Sequence, residues 1–397
     1  MSLEIDHDLF NYNSKSAKEI GVGKFETQFD MIYKKRLEQI SPSIEPIIPQ
    51  PYCKINSIVQ SEKGCSLIGI VYKELKKRPN ILKEYKELTG DTSSEELSPS
   101  ENDIIFLEDL TDRIQLIGVD PSRLVTGIII GVYGHIESFK FNVTTIFEPT
   151  PEIPPQIHTA SGKIVFISDL ACDSENFRVN KNAAKRLGEI MKQSSLTVLL
   201  GNNFDAPSKP NSDELLSFQS KMQSIKSMPV QKLESFISVA RVKTILIPGQ
   251  NDPVSIRLPQ LPYHKVLIKS PNIELCTNPA WFTYEGVTFL CGAGESVKSI
   301  QQTSSLSFHE AQQSILKWHH YAPTAPDYLP CMPVTKKDLM VIEKLPNFFV
   351  CGLADNFEVS EVNGTTVISV PSFNNTLSAV TLDLETGEAI LEECKID

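Results

Sequence analysis

The chain has 397 residues, with 38 Lys and Arg against 49 Asp and Glu, for a formal charge of −11. At roughly 100–200 residues per domain, that length suits two domains, each large enough to bury a core without staples. The acidic balance argues against a general nucleic-acid surface, and no run approaches the ~20 apolar residues of a bilayer span, which argues against a membrane protein.

Eight cysteines (Cys53, Cys65, Cys172, Cys276, Cys291, Cys331, Cys351, Cys394) show no Cys-x-x-Cys pair and no Cys/His cluster. They read as reduced, buried thiols of a soluble intracellular protein.

Residues 1–23 are polar and aperiodic, which predicts a flexible arm. From Lys24, Phe25, Phe29, Ile32, Tyr33, Leu37 and Ile40 recur at helical spacing until Ser41-Pro42, so a helix is expected over 24–41. Within it, Lys34-Lys35-Arg36 reads as the solvated face of an amphipathic helix rather than a nuclear signal or DNA contact. After proline-rich 42–51 the period drops to two. Strands are expected at Ser66–Tyr72, Asp103–Leu107, Arg113–Val119, Leu124–Tyr133 and Lys140–Phe147, with Gly134 opening the turn between the last two. Such strands over 52–148, with a flexible charged insertion near 84–102, suit an OB-type β-barrel. Tyr72, Phe106, Tyr133, Phe139, Phe141 and Phe147 could stack bases, but alternation turns several inward and the central hairpin carries Glu108, Asp109 and Asp112. The barrel is therefore expected to contact protein.

A stiff Pro-rich linker is expected at 149–160. Beyond it, over 161–397, strands at Ile164, Thr197 and Lys243 alternate with helical stretches at 181–192 and 212–239, and strands return at 288–291, 348–351 and 365–370. This is the pattern of a layered α/β sandwich, so the expected fold class is α/β with a barrel domain in front of it.

The chemistry concentrates where strands end. Ile164-Val165-Phe166-Ile167 empties into Ser168-Asp169-Leu170-Ala171, and Thr197-Val198-Leu199-Leu200 into Gly201-Asn202-Asn203-Phe204-Asp205. Gly249-Gln250-Asn251-Asp252 and Gly352-Leu353-Ala354-Asp355 follow later strands. The order resembles a calcineurin-like metallophosphoesterase: Asp-x-His, Gly-Asp-x-x-Asp, Gly-Asn-His-Asp/Glu and Gly-His-x-His, which hold two ions ~3.5–4 Å apart to activate water. Here Ala171 stands at an imidazole position, Asn202 at the bridging carboxylate, Gln250 and Asn251 at the ligand Asn and the His beside it, and Leu353 at a further imidazole. The nearby loop Gly292-Ala293-Gly294-Glu295-Ser296 also lacks a His. Asp169, Asp205 and Asp252 then read as structural residues that bond loop backbone or cap helices, and Asp355 as a vestigial motif position, with no metal, no other cofactor and no catalytic residue expected. His319-His320 reads as finishing a helix that ends at Ala322-Pro323, where basic groups favour the dipole; His264 and His309 stand alone.

Three stretches carry a more specific resemblance: Phe25–Leu37; Leu107-Glu108-Asp109-Leu110-Thr111-Asp112-Arg113 with Leu124-Val125-Thr126-Gly127; and Ala322-Pro323-Thr324-Ala325-Pro326-Asp327 followed by Cys331 and Pro333. Pro248-Gly249-Gln250-Asn251-Asp252-Pro253 also fits. In these the chain resembles the small (B) subunits of replicative DNA polymerases, most closely the eukaryotic delta branch. The resemblance implies an OB fold with a phosphoesterase-like domain inactive in eukaryotes, and a nuclear scaffold role in DNA replication. It also implies two partners, the cysteine-rich C-terminal domain of the catalytic subunit and a third subunit, with DNA met only through the complex. An active metal-dependent nuclease, an alpha or epsilon small subunit, and a single-strand-binding module are the alternatives.

Overall fold

The computed structural model describes residues 2–5, 30–58, 64–76, 99–154, 160–205, 227–333 and 336–395. By its contacts the chain divides into two units, Met1–Phe10 with Pro154–Glu295 and Pro346–Asp397, and Asn11–Ile153 with Ser296–Leu345. Ser296–Leu345 thus groups with the barrel, where sequence continuity suggests an unbroken 161–397. An amphipathic helix announces that it has an apolar face, not which core that face will meet.

A short strand, β1 (Leu3–Ile5), lies where only a flexible arm is expected, and Leu3 and Ile5 pack against the sandwich core. Three residues are too few for alternation to register as a strand. The positions of Phe25 and Phe29, most of the 84–102 insertion and 155–159 of the linker lie outside the described residues.

The barrel unit opens with a helix over Asp30–Ile44, which runs through Pro42 instead of stopping there. A proline inside a helix costs about 3 kcal/mol, but the apolar stripe continues past it: Leu37, Ile40, Ile44 and Ile48 cluster with Ile68 and Ile129 of the barrel. Burying two further isoleucines, at about 1.5–3 kcal/mol each, offsets that cost. The barrel itself closes in the order β2 (Cys65–Glu74), β3 (Ile104–Glu108), β4 (Arg113–Ile117), β6 (Lys140–Phe147), β5 (Ile129–Glu137). Alternation sends Leu67, Val71, Ile105, Leu107, Ile114, Leu116, Val132 and Phe141 to the interior.

Gly134 lies inside β5 and not at a turn. It sits at a register shift facing Val143, where a Cβ would come within 2.0 Å of Asn142 O. The turn falls at Ser138 and Phe139, both with positive φ. β5 also starts later than alternation suggests, because the backbone bends at Gly127 (φ +92).

The basic triplet is only partly the solvated face that its composition suggests. Arg36 is 1% exposed. Its Nε donates to Asp338 Oδ2 (2.9 Å), Nη1 to Gly127 O (2.9 Å) and Pro323 O (2.8 Å), and Nη2 to Ala325 O (3.0 Å). A guanidinium carries five donors in a rigid fork, so it can enter a core only where acceptors converge. The acceptors here come from segments far apart in sequence, which no local pattern reveals. Gly127 is pinned by the same contact: a Cβ there would lie 2.0 Å from Pro323 O and 2.6 Å from Arg36 Nη1. Tyr33 of the same helix donates to Asp327.

His319 and His320 also depart from expectation. Their helix, Phe308–Lys317, ends before them, and both close it through backbone N–H groups, to Leu316 O (3.3 Å) and Ile315 O (3.2 Å). Both side chains are buried, and burial pushes each pKa down to about 4. His320 Nε2 meets Asp338 Oδ2 at 2.9 Å while Nδ1 accepts from the Ala322 N–H (3.2 Å), an arrangement that requires the neutral ring. Burial alone would raise the Asp338 carboxyl, but His320 and Arg36 beside it prevail and hold it well below the usual carboxylate range.

In the sandwich unit one sheet runs β10 (Ile273–Leu275), β9 (Lys243–Ile247), β8 (Leu196–Leu200), β7 (Lys163–Ile167), β16 (Ser378–Asp383), β17 (Ala389–Glu393). The other runs β1, β11 (Ala280–Tyr284), β12 (Val287–Gly292), β13 (Phe348–Ala354), β15 (Thr365–Pro371), β14 (Glu358–Val362). β7, β8 and β9 are parallel, as are β12, β13 and β15. Ile164, Phe166, Val198 and Ile245 face the other sheet, where Phe282, Phe289 and Phe348 stack at 5.0 and 5.2 Å. Val165, Ile167, Leu199 and Leu246 face the helices over Lys181–Lys192 and Ser227–Ala240. Burial on both faces is why these strands read as continuous apolar runs. The part of the expected 212–239 helix before 227 lies outside the described residues.

Removing Arg36 leaves the Asp338 charge buried without its cationic partner, so Arg36→Ala is expected to cost about 3–5 kcal/mol. Arg36→Lys keeps the charge but loses the fork, and about 1–3 kcal/mol with it. Urea melts of the full chain, followed by a barrel-unit probe, test this; an Arg36→Lys midpoint equal to the parent's refutes the role of the fork.

Candidate functional site

The motif loops leave the carboxyl ends of parallel strands and are tied together across the two sheets. The Leu353 N–H near the end of β13 donates to Ser168 Oγ after β7 (2.8 Å), and the Gln250 N–H after β9 donates to Glu295 Oε1 beyond β12 (3.1 Å). Within one sheet the Asp169 N–H reaches Gly201 O (3.2 Å), and the Ala171 N–H reaches Asn202 O (3.1 Å). Asp169, Ala171, Asn202 and Leu353 all have φ between +43° and +59°. Left-handed backbone outside glycine costs roughly 1–2 kcal/mol per residue, and its concentration at adjoining strand ends marks these loops as the frame of a site.

The side chains in that frame are already committed. Asp169 Oδ2 accepts from Ser372 Oγ (2.6 Å); burial raises its pKa, the nearby Asp205 adds to the rise, and hydrogen bonds from Ser372 and Asn202 oppose it. Asn202 Oδ1 accepts from the Asn251 N–H (3.1 Å). Ala171 is buried, whereas Asp205, Gln250 and Asp355 are exposed; the Asp205 N–H is held by Asp173 (2.7 Å).

Asp252 is buried and serves the loop. Oδ2 accepts from the Gly249 N–H (2.7 Å) and Asn203 Nδ2 (3.1 Å), and Oδ1 from the Phe204 N–H (3.1 Å). Asn203 Nδ2 also approaches Tyr263 Oη (2.9 Å) and Ile247 O (3.0 Å). Burial pushes Asp252 up to about 6 against these bonds. Glu295 is the second buried acceptor, taking the Gln250 N–H and Asn278 Nδ2 (3.0 Å), while Asn278 Nδ2 also reaches Gln260 Oε1 (2.6 Å). Burial pushes Glu295 up to about 7, with the Asp252 charge adding to the rise. Tyr263, Gln260 and Asn278 belong to no motif, and Asn203 and Glu295 stand at loop positions to which the motif pattern assigns no role. The one hint in sequence is a carboxylate, Glu295, inside an otherwise small and apolar loop.

These residues do not fit a dinuclear centre. Ala171 and Leu353 offer no ligand atom, the Asn202 amide oxygen is turned to a backbone N–H, and Asp252 and Glu295 are taken up by hydrogen bonds that tie neighbouring loops together. Among the described residues no group of three or more His, Cys, Asp or Glu is placed to hold an ion.

Comparison with known proteins bears on both units. A family model for the B-type subunit of DNA polymerase alpha/epsilon matches residues 164–359, and one for the DNA polymerase delta subunit OB-fold domain matches 28–146. A DNA polymerase delta small subunit of Oryza sativa subsp. japonica is 29% identical over 91% of both chains, and that of Saccharomyces cerevisiae is 29% identical over 85% of this chain and 80% of its own. A DNA polymerase II small subunit of Archaeoglobus fulgidus is 34% identical over 28% of this chain and 24% of its own. Among solved structures, an archaeal phosphodiesterase is similar over 58% of this chain and 98% of its own, with 14% identity and a TM-score of 0.31, too slight a likeness to weigh.

The buried acceptor Glu295 has a pH signature. Its folded pKa, about 7, lies above the ordinary 4.5, so the folded state binds the proton more tightly. The resulting stability is fully present below about 4.5 and is lost as pH rises through about 7, up to roughly 3 kcal/mol in all. The stability of the parent relative to Glu295→Gln should therefore fall as pH rises from 4.5 to 7.5. The two buried histidines are common to both proteins and cancel in the difference, whereas Asp252, whose charge is felt at Glu295, contributes to it. A gap independent of pH overturns the assignment.

Proposed function

The chain belongs to the small (B) subunits of DNA polymerases, in the delta branch, and from that premise we propose that it is a structural subunit of the replicative enzyme with no phosphoesterase chemistry of its own. The observation that carries this reading is the extent of the match: nine-tenths of the chain aligns with nine-tenths of a delta small subunit, through both the barrel and the sandwich. The site supports it, since Ala171, Asn202 and Leu353 replace groups that a metal-dependent hydrolase needs.

In this role the chain joins the cysteine-rich C-terminal domain of the catalytic subunit to a third subunit, works in the nucleus, and meets DNA through the assembly. Among the described residues no helix is long and apolar enough to cross a membrane. What the sandwich contributes is rigidity: its loops are fixed by internal hydrogen bonds, so little ordering remains to oppose binding.

Co-expression with the catalytic and third subunits of DNA polymerase delta, followed by purification and metal analysis, tests the proposal. The expected result is a stoichiometric complex in which this chain adds no manganese- or zinc-dependent phosphodiester hydrolysis, and in which Asp169→Ala changes nothing. A chain recovered alone with two bound ions, and with hydrolysis abolished by Asp169→Ala, overturns it.

A further inference from the structure

Two neighbouring turns of the barrel place apolar side chains in water with no role in the fold. The β3–β4 turn is built by Asp109. Its Oδ1 accepts from the Thr111 N–H (2.6 Å), Thr111 Oγ1 (2.5 Å) and the Asp112 N–H (3.0 Å), and its Oδ2 from the Ile55 N–H (2.9 Å). The backbone bond from the Asp109 N–H to Asp112 O (3.0 Å) closes the turn. At the tip of this fixed loop Leu110 is 60% exposed. In the β5–β6 turn, Phe139 is 90% exposed and sits at φ +60, a backbone conformation unfavourable for a bulky residue. The parallel register that sets Gln115 opposite Lys140 brings this turn level with the start of β4, at the same end of the barrel as Leu110.

We propose that the Leu110 and Phe139 turns form a docking site for a basic, apolar-faced segment of a partner protein. The inference rests on the accessory-subunit reading for the partner's being another polymerase subunit. The charges at this end select the occupant. Glu108, Asp109, Asp112 and Glu137 outnumber Lys54, Arg113 and Lys140; Arg113 is turned back to Glu108 (3.7 Å) and over the Phe106 ring (5.0 Å), and Lys54 lies over the Tyr52 ring (5.4 Å). A phosphate backbone meets carboxylates there rather than a basic groove, which disfavours nucleic acid. A second copy, docked about a two-fold axis, would set acidic turn against acidic turn. A segment with an apolar strip flanked by Lys or Arg covers Leu110 and Phe139 and neutralises the carboxylates around them. Preordered exposed apolar anchors are what such interfaces use as their energetic centre.

The test uses the full chain carrying Leu110→Asn with Phe139→Gly, changes suited to a turn and to left-handed backbone, and a second variant carrying Asp112→Lys with Glu137→Lys. Each is titrated against the purified catalytic subunit and the purified third subunit of DNA polymerase delta, with thermal melts as the folding control. Expected is at least a tenfold loss of affinity for one of them in the first variant with no fall in Tm, and in the second a loss together with a flattened salt dependence. Parental affinity in both variants overturns the docking site and leaves the accessory role standing. Failure of the parent chain itself to bind either subunit overturns both. Oligonucleotide binding, or self-association, that the parent shows and the first variant lacks assigns the turns to a different occupant and overturns the proposal.

Discussion

One buried guanidinium organises the barrel unit. Arg36 lies on the opening helix, its acceptors Gly127 at the bend before β5, Pro323 and Ala325 in the loop beyond the helix over Phe308–Lys317, and Asp338 further on. Burying such a charge costs several kcal/mol, and the cost is met only when nearly every donor is taken. The reverse also holds: without Arg36, three main-chain carbonyls lose a buried donor, and each unpaired group costs about 1–3 kcal/mol. Helix, bend and loop are therefore conditional on one another. Lys73 repeats the device on β2, donating Nζ to Thr303 O (2.7 Å) with Asp103 at 3.5 Å.

The same logic gives the three resembling stretches a physical content. Phe25–Leu37 contributes Arg36, Leu124–Gly127 contributes the carbonyl and a close approach that only glycine permits, and Ala322–Asp327 contributes two further carbonyls. Separated by some 90 to 290 positions in sequence, they are parts of a single hydrogen-bonded cluster. None of the three carries reaction chemistry; each is what a buried cation requires of its surroundings. That is why they identify a family through its architecture rather than through a catalytic motif.

Much of the fold and of the candidate site could be read in the sequence. Alternation located the barrel strands, continuous apolar runs located β7, β8 and β9, and the polar residues after them marked the loops that meet at one end of the sandwich. What stayed hidden was decided by distant partners. A basic triplet looks solvated until a pocket of carbonyls accepts one member, and Pro42 looks like a stop until Ile44 and Ile48 find the barrel. Gly134 looks like a turn until Asn142 crowds it. Asp252 could be read as a residue that bonds loop backbone, and Glu295 only as a carboxylate in a small-residue loop; the burial of both was decided by what surrounds them.

The strained loops of the sandwich then acquire a reason to persist. Metal ions at strand ends would compensate both the left-handed turns and the buried negative charge. In this chain the compensation comes from N–H groups converging on Asp252 and Glu295, from the Ser372 hydroxyl on Asp169, and from carboxyls whose raised pKa lets them shed charge near neutral pH. Hydrogen bonds cannot activate a water molecule as a pair of cations does, but they fix a loop equally well. Loops reinforced in this way are rigid in the free chain. For a subunit whose task is to hold other proteins, rigidity is the property that counts, because every loop already ordered in the free chain is one whose ordering does not oppose the complex.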